Sequence, residues 1–425
     1  MSVAQTTEKS TTLVAQTLPR FFGTPVRLVM LGLGAALMVA FLMYGGEEWL
    51  TIANYTLIYA IATLGLNVLS GYTGQVSLGM AFFMSIGAYT AILLGGQPIK
   101  YPSPNGLGQI QLYGLQLPFY LWLPASGIVA ALVGALIGPT ALRLKGFYLG
   151  IVSLALVFIG IYVFQNIPPL SYGAQGRAFY TPCNLFTTCD PSTQNNVLFT
   201  NNLALFGTTF NRQQIFFIMD LVILVIAALF VGNVMRSRAG RAFQAVRDHE
   251  VGAAIMGVNL FQAKMGAFML SSFLAGIAGG LYALYTNYVS PGTWSLLLSI
   301  QFIAAIIIGG IASVWGSILG ATFIFALPLT LSALNILPEN STATIQPEDV
   351  NAIIYGLLII VFLLFEPGGI VGLIRRLQPV VQRFRQSRQK GGVLSGIGPN
   401  SESDSHFEVE HSALSTGEGT PPLAE

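Results

Sequence analysis

The chain has 425 residues, 53% hydrophobic and only 8% charged, where a soluble globular domain carries roughly 25% charged residues. That excludes an ordinary soluble enzyme and, with 47 glycines available for close helix contacts and helix breaks, points to a polytopic membrane protein. A formal net charge of +2 is too small to call for a nucleic-acid partner, so the basic residues are read as topology signals.

A bilayer core of about 30 Å needs about 20 apolar residues in a helix. Apolar runs near that length fall at 28–44, 50–69, 75–94, 119–142, 147–167, 215–235, 265–285, 297–311, 314–334 and 350–365. The eighth is short enough to be a re-entrant or broken helix. The first opens only near Leu28 and is followed by further runs, so no cleavable signal peptide is expected.

Basic residues cluster before the first run (Arg20, Arg27), after the fourth (Arg143, Lys145), between the sixth and seventh (Arg236, Arg238, Arg241, Arg247, Lys264) and after the tenth (Arg375 to Lys390). An even number of crossings separates every pair of clusters, so the positive-inside rule puts all of them in the cytoplasm. The expected fold is an all-α polytopic membrane bundle of about ten transmembrane helices with both termini cytoplasmic. Its expected parts are a cytoplasmic segment at 1–27, a transmembrane domain at 28–374 with a cytoplasmic loop at 236–264, and a cytoplasmic tail at 375–425. The end of that tail is acidic, with Glu402, Asp404, Glu408 and Glu410, and is too polar to bury a core.

The opposite face receives Glu47, Glu48 and the loop CNLFTTCD. Cys183 and Cys189 in that loop form a small disulfide if it faces an oxidising compartment, and two free thiols otherwise. Three small-xxx-small pairs, Gly134/Gly138, Gly276/Gly280 and Gly316/Gly320, read as helix packing.

Between the second and third runs, NVLSGYTGQVSLGMAFFMSIGAY collects Asn67, Gln75 and Ser77 around Gly71, Gly74 and Gly79. The stretch reads either as a broken helix whose amide and hydroxyl groups line a translocation pathway or as a tight cytoplasmic turn. Gln301, in the eighth run, is a weaker pathway candidate of the same kind. Asp220, in FFIMDLVILVIAALF, is the only acid well inside an apolar run and falls near its outer end, where an interfacial placement competes with a functional one.

The charge-rich segment RSRAGRAFQAVRDHEVGAAIMGVNLFQAK is the most distinctive stretch. Residues 239–256 read as one short amphipathic helix, with Phe243, Val246, Ala253 and Ile255 among its apolar residues and Gly257 as its stop. Such a helix either docks into a groove on a soluble partner or anchors to anionic lipid. No GxxxxGK followed by Ser or Thr occurs, so no phosphate-cradling loop is present in the chain. His249, the only histidine outside the acidic tail, reads as a solvated loop residue, and no Ser-His, Cys-His or metal cluster falls within the spans.

At GRAFQAVRDHEVGAAIMGVN the chain resembles the permease subunits of bacterial branched-chain amino acid ABC importers, the LivM-like group. The similarity extends to LNVLSGYTGQVSLGMAFFMSIGAYTA, LRLKGFYLGIVSLAL, IIIGGIASVWGSILGA and FEPGGIVGL, in order. The resemblance implies that Gly240, Arg241, Arg247, Asp248, Glu250, Ala253, Ala254 and Gly257 belong to a coupling loop contacting an ATPase subunit. Val251 and Gly252 are inserted after the acid of the general importer pattern. The paired glycines that the family carries after the fifth span are only partly kept, as Gly173 and Gly176. The resemblance further implies a second related permease subunit (a heterodimer), two ABC ATPase subunits that hydrolyse the ATP, a periplasmic solute-binding protein, a neutral amino acid substrate, and a place in the bacterial inner membrane, with no cofactor and no catalysis on this chain. Import of urea or short amides is the alternative within the family, and an ion-coupled secondary transporter the alternative outside it.

Overall fold

The computed structural model describes residues 41–102, 109–141, 147–167, 171–179, 203–205 and 208–333, with residue 38 and scattered positions between 353 and 372. Glu47 and Glu48 open α1 (Glu47–Leu66), where a negative charge meets the positive end of the helix dipole. Although α1 is buried along much of its length, it carries Thr56 and Thr63, whose hydroxyls bond to the carbonyls of Ile52 and Tyr59 one turn back and so need no outside partner. The helix then widens into a π-helical segment, Asn67–Tyr72, and the chain runs non-helical until α2 (Met80–Gly95). The third run was expected to become helical at Gln75; the helix begins at Met80 instead. Gly74 holds φ +71°, and the backbone N–H groups of Leu78 and Ala81 are taken by the hydroxyls of Ser153 and Ser299.

Next come α3 (Phe119–Ala141), α4 (Phe147–Asn166), α5 (Arg212–Arg236), α6 (Arg238–Asp248), α7 (Glu250–Ile255), α8 (Leu260–Thr286), α9 (Leu296–Gly309) and α10 (Val314–Ala333). Short antiparallel strand pairs sit in the connections: β1 (Ile99–Pro102) with β2 (Gln109–Leu112), β3 (Arg177–Ala178) with β6 (Tyr288–Val289), and β4 (Leu203–Leu205) with β5 (Thr208–Phe210). Among the described residues six helices are long and apolar enough to cross a membrane, and two shorter apolar helices, at α2 and α10, accompany them. Those eight correspond to the second through ninth expected runs. The first and tenth fall mainly outside the described residues, as do Cys183, Cys189, the segment 1–27 and the tail 375–425.

Helix α8 is the hub, packed against α1, α2 and α3, while α10 and α5 pack on α1 and α9 pairs with α10. Backbone-to-backbone approach makes this possible. A Cβ on Gly87 of α2 would stand 2.1 Å from the Gly276 carbonyl oxygen of α8, and one on Gly276 would stand 2.6 Å from that of Ser126 in α3. At Gly134 a Cβ would meet Ser272 Oγ at 2.6 Å, and at Gly320 it would meet the Ala305 carbonyl at 1.9 Å. The small-residue pairs therefore serve close packing, which in a bilayer must stand in for the hydrophobic drive between helices.

The start of α1, the start of α5 and the end of α8 share one end of the bundle. There the Asn211 side chain bonds Glu47, and Tyr55, Tyr59, Tyr282, Tyr285, Trp294, Phe302 and Phe325 pack ring against ring, with Tyr59 stacked 4.3 Å from Phe325. The π segment and α6 lie at the other end.

Candidate functional site

Residues 239–256 were expected to form a single helix and form two. Between α6 and α7, His249 is extended (φ −154°, ψ 106°), and the break re-aims the chain. In α6 the residues Gly240, Phe243 and Val246 repeat every third position and are buried. Gly240 is where α6 turns back against the end of α5: a Cβ there would stand 2.3 Å from the Met235 carbonyl oxygen. Arg241, Arg247 and Asp248 lie on the exposed side, with Arg241 reaching the Arg236 carbonyl at 3.4 Å. In α7 Ala253 is buried and Ala254 exposed.

Gly257 ends α7 with φ +83°. The N–H of Val258 bonds to the carbonyl of Ala253 and the N–H of Gly257 to that of Ala254, both at 3.0 Å, which is the paired pattern of a helix closed by a left-handed residue. Glu250 is tied back to the membrane bundle: Lys264 Nζ at the start of α8 donates to its Oε1 at 2.6 Å. Ile255, named among the apolar residues of the expected helix, is not buried with Phe243, Val246 and Ala253. It is 81% exposed, and Val251 and Met256 stand out beside it at 73% and 87%. These three large apolar side chains form an exposed apolar patch on a segment braced by an ion pair.

This segment rests on the helix break. Gly74, in the non-helical stretch after the π segment, lies against Arg247 of α6: a Cβ on it would stand 3.5 Å from Arg247 Cγ and 3.7 Å from Arg247 Cα. One turn deeper, Asn67 is fully used. Its amide donates to the Ser313 carbonyl (2.9 Å) and to Ser317 Oγ (2.6 Å), and its oxygen accepts from the Ala312 N–H (2.9 Å), so it ties the π segment to the start of α10. Gly71 leaves room for that bond, since a Cβ there would stand 1.8 Å from Asn67 Oδ1.

Gln75 is buried, its amide donating to Thr73 Oγ1 at 3.0 Å while Oε1 lacks a partner; Ser77 is buried and accepts from the Gly79 N–H at 3.3 Å. Gln301 is half-buried on α9. The structure thus brings Asn67, Gln75 and Ser77 together with α6 through Gly74. Three serine hydroxyls and one carbonyl that sequence reasoning passed over complete the joint: Ser153 and Ser299 on the N–H groups of Leu78 and Ala81, and Ser317 Oγ and the Ser313 carbonyl on Asn67.

Residues 49–363 match the family described as the branched-chain amino acid transport system permease component. The high-affinity branched-chain amino acid transport permease LivM of Escherichia coli (strain K12) is 29% identical over 327 residues, covering 76% of this chain and 70% of the relative. LivM of Salmonella typhimurium is 30% identical over the same shares, and a probable LivH permease of Methanocaldococcus jannaschii is 25% identical over 75% of this chain and 90% of its own length. No solved structure matches the chain.

Proposed function

Because the chain belongs to the branched-chain amino acid transport permease family, we propose that it is the membrane-spanning subunit of an ATP-binding-cassette importer for branched-chain or other neutral amino acids. The observation that carries the coupling part of this reading is the α6–α7 segment. It offers Val251, Ile255 and Met256 to a partner while Arg247 presses on the broken stretch at Gly74 and Glu250 is strapped to Lys264 of α8. An apolar helix face of this size suits a groove on a soluble ATPase subunit. The chain carries no phosphate-cradling motif of its own, which supports hydrolysis by partner subunits.

In this reading ATP-driven closure of two ATPase subunits moves α6 and α7. Arg247 passes the displacement to the π segment, and Asn67 carries it into α10. Such a transmission is mechanical and needs no covalent intermediate. A second related permease completes the membrane unit, a periplasmic binding protein delivers the solute, and the chain lies in the inner membrane with about ten spans and both termini cytoplasmic.

The test is uptake of radiolabelled leucine against urea in a strain deleted for this gene. Loss of leucine uptake, restored by the gene, is expected; undiminished leucine uptake overturns the substrate assignment.

A further inference from the structure

Asp220 belongs to the buried stripe of α5, Phe217, Asp220, Leu224, Ala227 and Val231, which faces α1. It is 0% exposed, and neither carboxylate oxygen has a hydrogen-bond donor. A carboxylate in that position is costly at membrane depth unless a donor or a positive charge meets it.

The deficit is shared by its surroundings. Asn54 of α1, equally buried in the same seam, spends its amide on the Gln213 carbonyl (3.1 Å) and leaves Oδ1 without a donor. The Tyr285 hydroxyl donates to Gln213 Oε1 at 3.0 Å and stands beside the side chains of Thr51 and Asn54. Gln213 and Asp220 are seven residues apart on α5, about 10 Å of helix rise. The seam between α1 and α5 is thus a short polar file that begins at the Glu47–Asn211 contact and ends inward at a carboxylate, and three acceptor atoms along it lack donors.

Among the described residues, Glu47 and Arg212 also bring charge to this file; the Arg212 guanidinium donates to the Tyr285 carbonyl and lies 4.8 Å over the Phe216 ring and 5.4 Å over the Tyr285 ring. It stands about 12 Å of helix rise from Asp220 and does not supply the missing donor. The faces of the Phe216 and Tyr285 rings at this end of the seam already hold the Arg212 guanidinium.

We propose that the seam between α1 and α5 holds a site for a compact monovalent cation, with Asp220 as its charged ligand and Asn54 Oδ1 as a way-point on the approach from the Glu47 end. Two sources supply that chemistry: an alkali ion, or the ammonium group of an amine-bearing solute. The amine source rests on the amino acid reading above; the alkali source stands without it.

The test uses the complex purified from its host through a tag on this chain and placed in nanodiscs. Its melting midpoint is measured at one ionic strength in sodium, potassium, methylammonium or N-methylglucamine chloride. The wild type is expected to melt higher in a small cation than in the bulky N-methylglucamine, and Asp220→Asn to melt alike in all four. A shift in sodium or potassium identifies an alkali ion; a shift in methylammonium alone identifies an amine group.

Asparagine imitates a protonated aspartate, so an acid that merely holds a proton gives no dependence on the cation. A wild type indifferent to the salt, or an Asp220→Asn variant that keeps the full response, overturns the proposal. Should Asp220→Asn fail to assemble, Asn54→Ala is expected to raise several-fold the cation concentration giving half the shift. An unchanged concentration overturns the proposal as well.

Discussion

Two places where the chain abandons helix make opposite use of the same freedom. Between α1 and α2 the departure turns polar groups inward: Asn67, Gln75 and Ser77 are buried, and the Asn67 side chain is bonded on every side. Between α6 and α7 the departure turns apolar groups outward, and Val251, Ile255 and Met256 stand exposed among the described residues. A buried amide that is completely hydrogen-bonded is an internal joint, because any movement there must carry its partners along. An exposed apolar trio is half of an interface. Arg247 against Gly74 is where the two meet, and in the proposed reading the α6–α7 side is a surface that receives a force and the α1–α2 side a joint that transmits it.

The contrast breaks most severely at Gly71. A valine there puts Cβ 1.8 Å from Asn67 Oδ1 and 2.8 Å from the Ala312 nitrogen, so it both overpacks the joint and displaces its hydrogen bonds. The expected cost is about 3 kcal/mol or more, read as loss of mature protein in the membrane and a lowered melting midpoint. Asn67→Leu follows. It keeps the volume, removes three hydrogen bonds and leaves the Ala312 N–H short of a partner, while the Ser313 carbonyl keeps the donors of Ser317, for about 2–3 kcal/mol. If the joint reading is right, this variant still binds the ATPase subunit while uptake falls. Joint loss of binding and uptake would make Asn67 a folding residue only.

On the other side of the comparison, Ile255→Glu with Met256→Glu should leave the membrane bundle at its wild-type melting midpoint, because both side chains are exposed. Co-purification of the ATPase subunit and leucine uptake should each fall tenfold or more, since two charges would be set against an apolar groove. Retained co-purification would move the docking surface elsewhere.

The spacing of apolar runs located the described membrane helices to within a few residues, because bilayer thickness and helix rise leave little choice. Gly257 was legible as a helix stop because a left-handed closing residue favours glycine. The parts that escaped share a cause: they depend on partners far away in the chain. Ser153, Ser299 and Ser317 look like ordinary serines in apolar helices, and only the fold reveals that their hydroxyls meet the polar groups of the break. His249 interrupts a pattern that is locally helical, and the compensations, Ala253 packed and Glu250 on Lys264, are tertiary.

Asp220 carries a different lesson. Its depth along α5 suggested an interface with water, but its phase decides its burial. It falls on the three-four repeat of Phe217, Leu224, Ala227 and Val231 that turns toward α1. That repeat is present in the sequence, so periodicity was the signal that could have found it.

The smallest effect tests the brace itself. Lys264 is 11% exposed and Glu250 is 42% exposed, so the ion pair between them is partly screened, and Glu250→Gln should cost only about 0.5 kcal/mol of stability. A strap that matters for force rather than folding should nevertheless register in function. Without it α7 is free to move apart from α8, and ATP hydrolysis stimulated by loaded binding protein should run on while uptake per ATP falls by about twofold, a change of roughly 0.4 kcal/mol in coupling. Moving the pair, with Glu250→Lys and Lys264→Glu together, should recover most of that ratio, because the exchange restores the contact without restoring either side chain. Recovery by the swap is what distinguishes a strap from a carboxylate that touches the partner directly, which the reversed charge would repel.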